Sequence, residues 1–145
     1  MADIMKAENT LANASDFNIP RGYICTLDID TIDGKIKLAE ALNGAGTMKD
    51  KVGETLRVVD IVTTPGKRSR DDSDCTNTYL ILEDGTCLFS QSDGIAKSVQ
   101  YLVGIFTDRS TGKMMDLIDN GVGFMIKSQV LPNDNTLKTI IPVKL

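Results

Sequence analysis

The stretch TNTYLILEDGTCLFSQSDGIAKSVQYLVGIF, residues 76–106, decides the fold. Two short apolar runs, 76–82 and 86–90, flank Glu83-Asp84-Gly85. Acidic residues and a glycine between two such runs read as a β-hairpin. The period then changes. Ser92 is the expected N-cap of a helix. Ile95, Val99, Leu102, Val103 and Phe106 recur at i, i+4, i+7, i+8 and i+11, which builds one apolar helical face. A hairpin running into a single amphipathic helix argues against alternating strand–helix units and their parallel sheet.

Upstream, Tyr23, Cys25, Leu27 and Ile29 alternate with Thr26, Asp28 and Asp30, the pattern of a half-buried strand. Asp33-Gly34 then reads as a hairpin turn. KIKLA at 35–39 follows as a strand with Ile36 and Leu38 inward and Lys35 and Lys37 outward. A polar loop is expected through 43–53. A third strand at 54–62 is apolar on both faces, so it is expected to bend, and Pro65-Gly66 to break it. KRSRDDSD, 67–74, is a charged loop. Beyond the helix, 113–119 reads as a short second helical piece ended by Asn120-Gly121. Two strands close the chain, 123–131 and 137–145, around Pro132-Asn-Asp-Asn. In the last, Leu137, Thr139, Ile141, Val143 and Leu145 share a face, and Pro142 marks an edge position. The expected architecture is mainly β: a small antiparallel Greek-key barrel, OB-fold-like, with one interposed helix. No linker or repeat interrupts residues 21–145, which are expected to form one domain behind a loose N-terminal arm, 1–20.

Composition limits the chemistry. The 145 residues contain no histidine, which removes the Ser-His-Asp and Cys-His nucleophile pairs, the His-Glu zinc motifs and any His general base. Three cysteines, Cys25, Cys75 and Cys87, form no CxxC pair, so a zinc ribbon or disulfide framework is not expected, and free thiols suit a reducing cytoplasm. No signal peptide, membrane span, catalytic residue, metal or cofactor is expected. Asp28, Asp30 and Asp33 with Gly34 resemble a calcium loop superficially, but the EF-hand spacing is wrong and Ala39 stands where the twelfth-position Glu belongs. The same acids could bind magnesium for phosphodiester hydrolysis, but no nucleotide loop or acid–base partner lies nearby.

Charge is unevenly placed. The net charge is -4, yet residues 35–70 carry eight basic and four acidic side chains. This basic middle third is either a solvated face or a groove for a polyanion. Lys35 and Lys37 on one strand, Arg57 on the next, and Lys67, Arg68 and Arg70 on a loop would meet phosphates. Asp71, Asp72 and Asp74 stand ready to neutralise the loop internally. Of seven aromatic residues, Tyr79 and Phe89 fall on the two strands of the central hairpin, either as a stacking platform or as sheet packing. Phe106 belongs to the helical core face, and Tyr101 falls off it. Single-stranded nucleic acid is held by rings that stack bases inside a basic groove.

The segment 76–106 resembles the single-stranded DNA-binding proteins of small tailed phages with protein-primed replication, the phi-twenty-nine type. The resemblance lies in the strand, Asp-Gly turn, aromatic-containing strand and Ser-started helix of the I-A-x-S-x-x-x-L-x-x-x-F kind. TLDIDTIDGKIKL, 26–38, is similar to that family's first hairpin, and the closing strands match in order. The resemblance implies an OB-type fold and sequence-independent binding of single-stranded DNA during phage replication. It makes Phe89 the leading stacking residue, with Tyr79 and Tyr23 beside it. The chain departs from the family at IVTT, 61–64, where a second aromatic would stand, at the acidic 71–74 stretch, and in its N-terminal arm. With Val143-Lys144-Leu145 as the last strand, an acidic C-terminal tail of the kind that recruits partners to other such proteins is not expected.

These readings converge on a non-enzymatic protein of the host cytoplasm that coats single-stranded DNA so that a DNA polymerase can follow. The rival, favoured by the acidic pI, is a protein-interaction module of a phage replication complex or virion.

Overall fold

Two sheets share a core in the computed structural model, which describes residues 22–145. In chain order the elements are α1 (Ile32–Gly44), β1 (Gly46–Thr47), a 3-10 turn (Lys49–Lys51), β2 (Thr55–Leu56) and β3 (Val58–Lys67). They continue as β4 (Asp74–Leu82), β5 (Cys87–Ser90), α2 (Asp93–Ile105), β6 (Thr107–Asp108), β7 (Lys113–Met114), β8 (Val122–Val130) and β9 (Thr136–Lys144). One sheet has the order β1-β5-β4-β3, the other β9-β8-β2, and β6 pairs with β7. The fold is mainly β and OB-like, as expected.

The bend expected within the strand 54–62 is what joins the sheets. β2 pairs with β8, and one residue later β3 pairs with β4. Arg57 is the corner, and a register shift follows between Val58 and Asp60. A strand that changes sheet through a bend and bulge is how small barrels turn. The two sheets are not hydrogen-bonded into a closed ring among the described residues.

Period-two alternation gives the four-stranded sheet two buried faces. Ile61, Leu80 and Leu88 face the three-stranded sheet and α2, joining Ile95, Val99 and Phe124. Val62, Tyr79 and Ile81 face the other way, under Leu38 and Ala41 of α1. The hairpin β4–β5 and the helix α2 lie where expected. The Ser92 hydroxyl accepts from the Ile95 amide, and Ile95, Val99 and Leu102 are buried. Gly94 has no room for a Cβ against the Lys138 carbonyl, so its lack of a side chain lets α2 approach β9. The last two strands also form, with β9 at the sheet edge, as Pro142 implies.

Several expectations are corrected. Residues 32–44 are helical, not a turn and a strand. The Thr31 hydroxyl caps the Gly34 amide at 3.0 Å, and Gly34, Leu38 and Ala41 are buried at helical spacing. Ile36, expected inward, is 52% exposed. Asp33-Gly34 marks a helix start because Gly34 fits tightly against the Asp28 carbonyl, where no side chain could pass. Residues 113–119 form no helix. β7 pairs back onto β6, and Asp116 then caps a single turn through the Asp119 amide. Pro65-Gly66 does not break β3, which continues to Lys67. Pro65 lies on the outer strand of its sheet, where a residue without an N–H is tolerated. The loop at 43–53 holds β1 and the 3-10 turn around a buried Met48. The strand expected at 23–29 is reduced to one bridge, Cys25 to Val62, flanked by backbone bonds joining Thr26 to Ile61 and Ile24 to Thr63. The arm expected at 1–20 lies outside the described residues.

Candidate nucleic-acid interface

Tyr79 and Phe89 stand directly opposite across β4 and β5. Their ring centroids are 5.2 Å apart at 47°, a tilted contact within the favourable aromatic range. α1 packs over this face, so the pair is graded: Tyr79 is 8% exposed, while Phe89 is half-buried. Burial raises the Tyr79 phenol pKa, against a weaker pull from a hydrogen bond with Thr64. Phe89 therefore offers more ring surface than Tyr79, which backs it. Tyr23 is partly exposed at a separate cleft, which it lines with Thr63, Asp93, Lys97 and Gln100. The structure does not bring it to the Tyr79–Phe89 pair.

The basic residues divide by partner. Lys35 and Lys37 lie two positions apart on α1 and so point in nearly opposite directions, not along one strand face. Lys35 donates to the Ile29 carbonyl at 2.5 Å, while Lys37 lies beside Glu40 and Glu83. Arg57, at the sheet corner, holds Glu83 at 2.7 Å. Lys67 meets Asp74 at 2.9 Å and Arg70 meets Asp71 at 3.7 Å, so the loop's acids do neutralise part of it. These pairs are exposed, and such pairs contribute at most about 1 kcal/mol each. A phosphate can displace them.

Arg68 differs. It donates to Asp93 at 2.9 Å and to the carbonyls of Gln91 and Asp74, tying the 67–74 loop to the start of α2. Its side chain is 22% exposed, and its donors are already spent on the fold. Arg68 reads as a strut of the interface more than a phosphate contact.

Asp28 and Asp30, considered as metal ligands, belong to the approach to α1. Asp28 accepts the Asp30 amide, and its carbonyl accepts the Thr31 hydroxyl. Among the described residues no three His, Cys, Asp or Glu gather as a metal site. No helix among them is long and apolar enough to cross a membrane.

With hairpin, helix and sheet corner in place, comparison with known families is decisive. The model of the phage single-stranded DNA-binding proteins, Phi29 type, matches residues 19–118. The chain belongs to this family. The matched span covers α1 through the turn after β7 and includes every nucleic-acid candidate named above. No curated protein and no solved structure matches significantly.

Sequence reasoning missed two cations. Lys49 is one of the eight basic residues of the 35–70 stretch, and Lys138 lies outside it. Both line one cleft. Neither lies in a motif, and only their meeting in space distinguishes them.

Proposed function

We propose that this protein coats single-stranded DNA without reading its sequence, shielding it so that a replicative polymerase can follow. The family match over residues 19–118 carries this reading. The described geometry supports it at residue level. Phe89 supplies the principal stacking ring, with Tyr79 behind it and Tyr23 as a separate contact. Arg57, Lys67 and Arg70 exchange weak surface pairs for phosphates, and Lys35 and Lys37 extend the positive surface over α1. The protein acts as one binding unit in the host cytoplasm, without cofactor and without catalysis.

Stacking on a ring is worth roughly 1–3 kcal/mol per base. Titration of a labelled oligo(dT) followed by fluorescence anisotropy, with a duplex competitor, is the test. Tight binding that weakens with salt and survives duplex is expected. Phe89→Leu keeps apolar volume against Tyr79 but removes the π face, so it should weaken oligo(dT) binding roughly 5- to 160-fold with little change in melting temperature. No binding at low salt would overturn the reading.

A protein-interaction role draws on a different observation. Tyr101 and Ile105, one turn apart on α2, are 61% and 69% exposed. That face suits a protein partner of the coated strand, such as the polymerase, and is compatible with DNA binding elsewhere.

A further inference from the structure

The clefts of the described residues differ in charge. Beside α1, β1 and the β4–β5 turn, Lys51 is set among Glu40 and Asp50. In the cleft between residues 24–30 and the β6–β7 hairpin, Lys113 faces Asp28 and Asp30. Tyr23's cleft is lined by Asp93 as well as Lys97, and the one under α1 by Glu40 and Glu83 as well as Lys37. A fifth cleft, of about 190 Å³, holds Lys49 and Lys138 with no carboxylate in its lining.

This cleft lies where the two sheets come together. Lys49 follows β1, the edge of the four-stranded sheet, and Lys138 sits on β9, the edge of the other. Thr47, Ser90 and Gln91 add polar groups, and Ile95 and Ile126 form an apolar floor. Both lysines are held by backbone. The Met48 amide donates to the Phe89 carbonyl, and the Lys49 amide to the Thr47 hydroxyl, fixing the 3-10 turn against β5. Lys138 pairs with Ser128 on the face that carries Ile126 and Ile140, and Gly94 of α2 packs on its carbonyl. Neither ammonium has an acidic partner among the described residues. Two lysines that line one cleft with no carboxylate, and that have no acidic partner among the described residues, favour an anion.

We infer that the Lys49–Lys138 cleft seats the phosphodiester backbone of the bound strand, bridging the two sheets beside β5, whose Phe89 also lines the cleft. The inference rests on the single-stranded DNA reading and locates where the backbone crosses. The family match ends at residue 118, so Lys138 enters the interface through the fold alone.

The test compares Lys49→Gln/Lys138→Gln with wild type and with Lys35→Gln/Lys37→Gln, across a salt series. Two probes are used: oligo(dT) and an abasic deoxyribose-phosphate oligomer of the same length. Each phosphate contact to a single strand contributes about 0.7 to the slope of log K against log salt. Loss of two contacts should lower the slope by about 1.4 and weaken binding roughly 25-fold at 0.1 M salt. The fold loss should be equal on both probes, since phosphate and not base is read, and the melting temperature should not change. If wild type binds oligo(dT) but the cleft variant keeps its slope and affinity, the cleft is not the seat. A loss on oligo(dT) but not on the abasic probe would also overturn it. Failure of wild type to bind oligo(dT) at all would instead sink the function itself.

Discussion

Asp60 is a carboxyl whose surroundings oppose its charge. Its half-buried position holds it above the ordinary carboxylate range, against the Thr26 hydroxyl at 2.8 Å and the charge of Lys37, with Asp116 adding repulsion. Asp71, Asp74, Asp84 and Asp108 are held low instead, by hydrogen bonds from Ser73, Lys67, Thr86 and Ser110. The two groups act oppositely on stability. A carboxyl with a lowered native pKa adds stability above its unfolded value and loses it as pH falls through the native value. Asp60 binds its proton more readily folded than unfolded, so its contribution declines as pH rises from its unfolded value through its native one. Asp60→Asn keeps an acceptor for Thr26 and removes the charge. It should raise the urea midpoint at pH 7, with the gain fading as pH falls to about 4. An equal gain at both values would show that packing, not ionisation, is responsible. Residue chemistry of this kind was only partly visible in sequence. Tyr79 and Phe89 are recognisable in sequence as a cross-strand pair, but which ring is more exposed depends on α1, whose residues 35–39 read as a strand.

Among elements, α1 is the helix that reads as a strand in sequence, and glycine explains it. Asp-Gly is the commonest hairpin signal, and KIKLA satisfies period two over five residues. The same residues satisfy period 3.6 through Gly34, Leu38 and Ala41. Five residues are too few to separate the two periods. Contact with the sheet face and with the Asp28 carbonyl separates them. Gly34→Ala would add helix propensity in an isolated peptide, by about 1 kcal/mol. Here it should destabilise by roughly 1–3 kcal/mol, because the new Cβ meets backbone. Gly44→Ala, in the last turn with open space around it, should stabilise by about 0.5–1 kcal/mol. Chemical denaturation of the two variants checks the opposite signs. If both stabilise, the fit of α1 against residue 28 is looser than described. The hairpin β4–β5 and α2 had no such ambiguity. Their signals run through nine or more residues each and agree with their caps.

For the whole molecule, stability and binding are linked. A ligand that binds only the folded state stabilises it by RT ln(1 + [L]/Kd), about 2.7 kcal/mol at a hundredfold excess over Kd. Oligo(dT) should therefore raise the melting temperature in a concentration-dependent way, and the rise should shrink at high salt as counterion release weakens binding. A shift that ignores salt would point to apolar contact without phosphate. The sheet corner at Arg57 matters at this scale, because it places β1–β5 beside β8–β9 and so creates the cleft between them. The bend was anticipated from a strand apolar on both faces, but its consequence was not.

Short-range order was legible from the chain itself. Hairpin, capped helix and closing strands depend on residues a few positions apart, and local sterics and hydrogen bonding settle them; the exclusion of His-based chemistry follows from composition alone. The strand pattern also carried the family resemblance. Tertiary structure alone chose between helix and strand for residues 32–44, since the deciding contacts come from other elements. It also showed which loop cations are already committed: Arg68 is bound to Asp93 and Gln91, twenty or more residues away. Above all, it brought Lys49 and Lys138, nearly ninety residues apart, to one acid-free cleft. Electrostatic potential depends on distance in space, and no local pattern in a sequence records that distance.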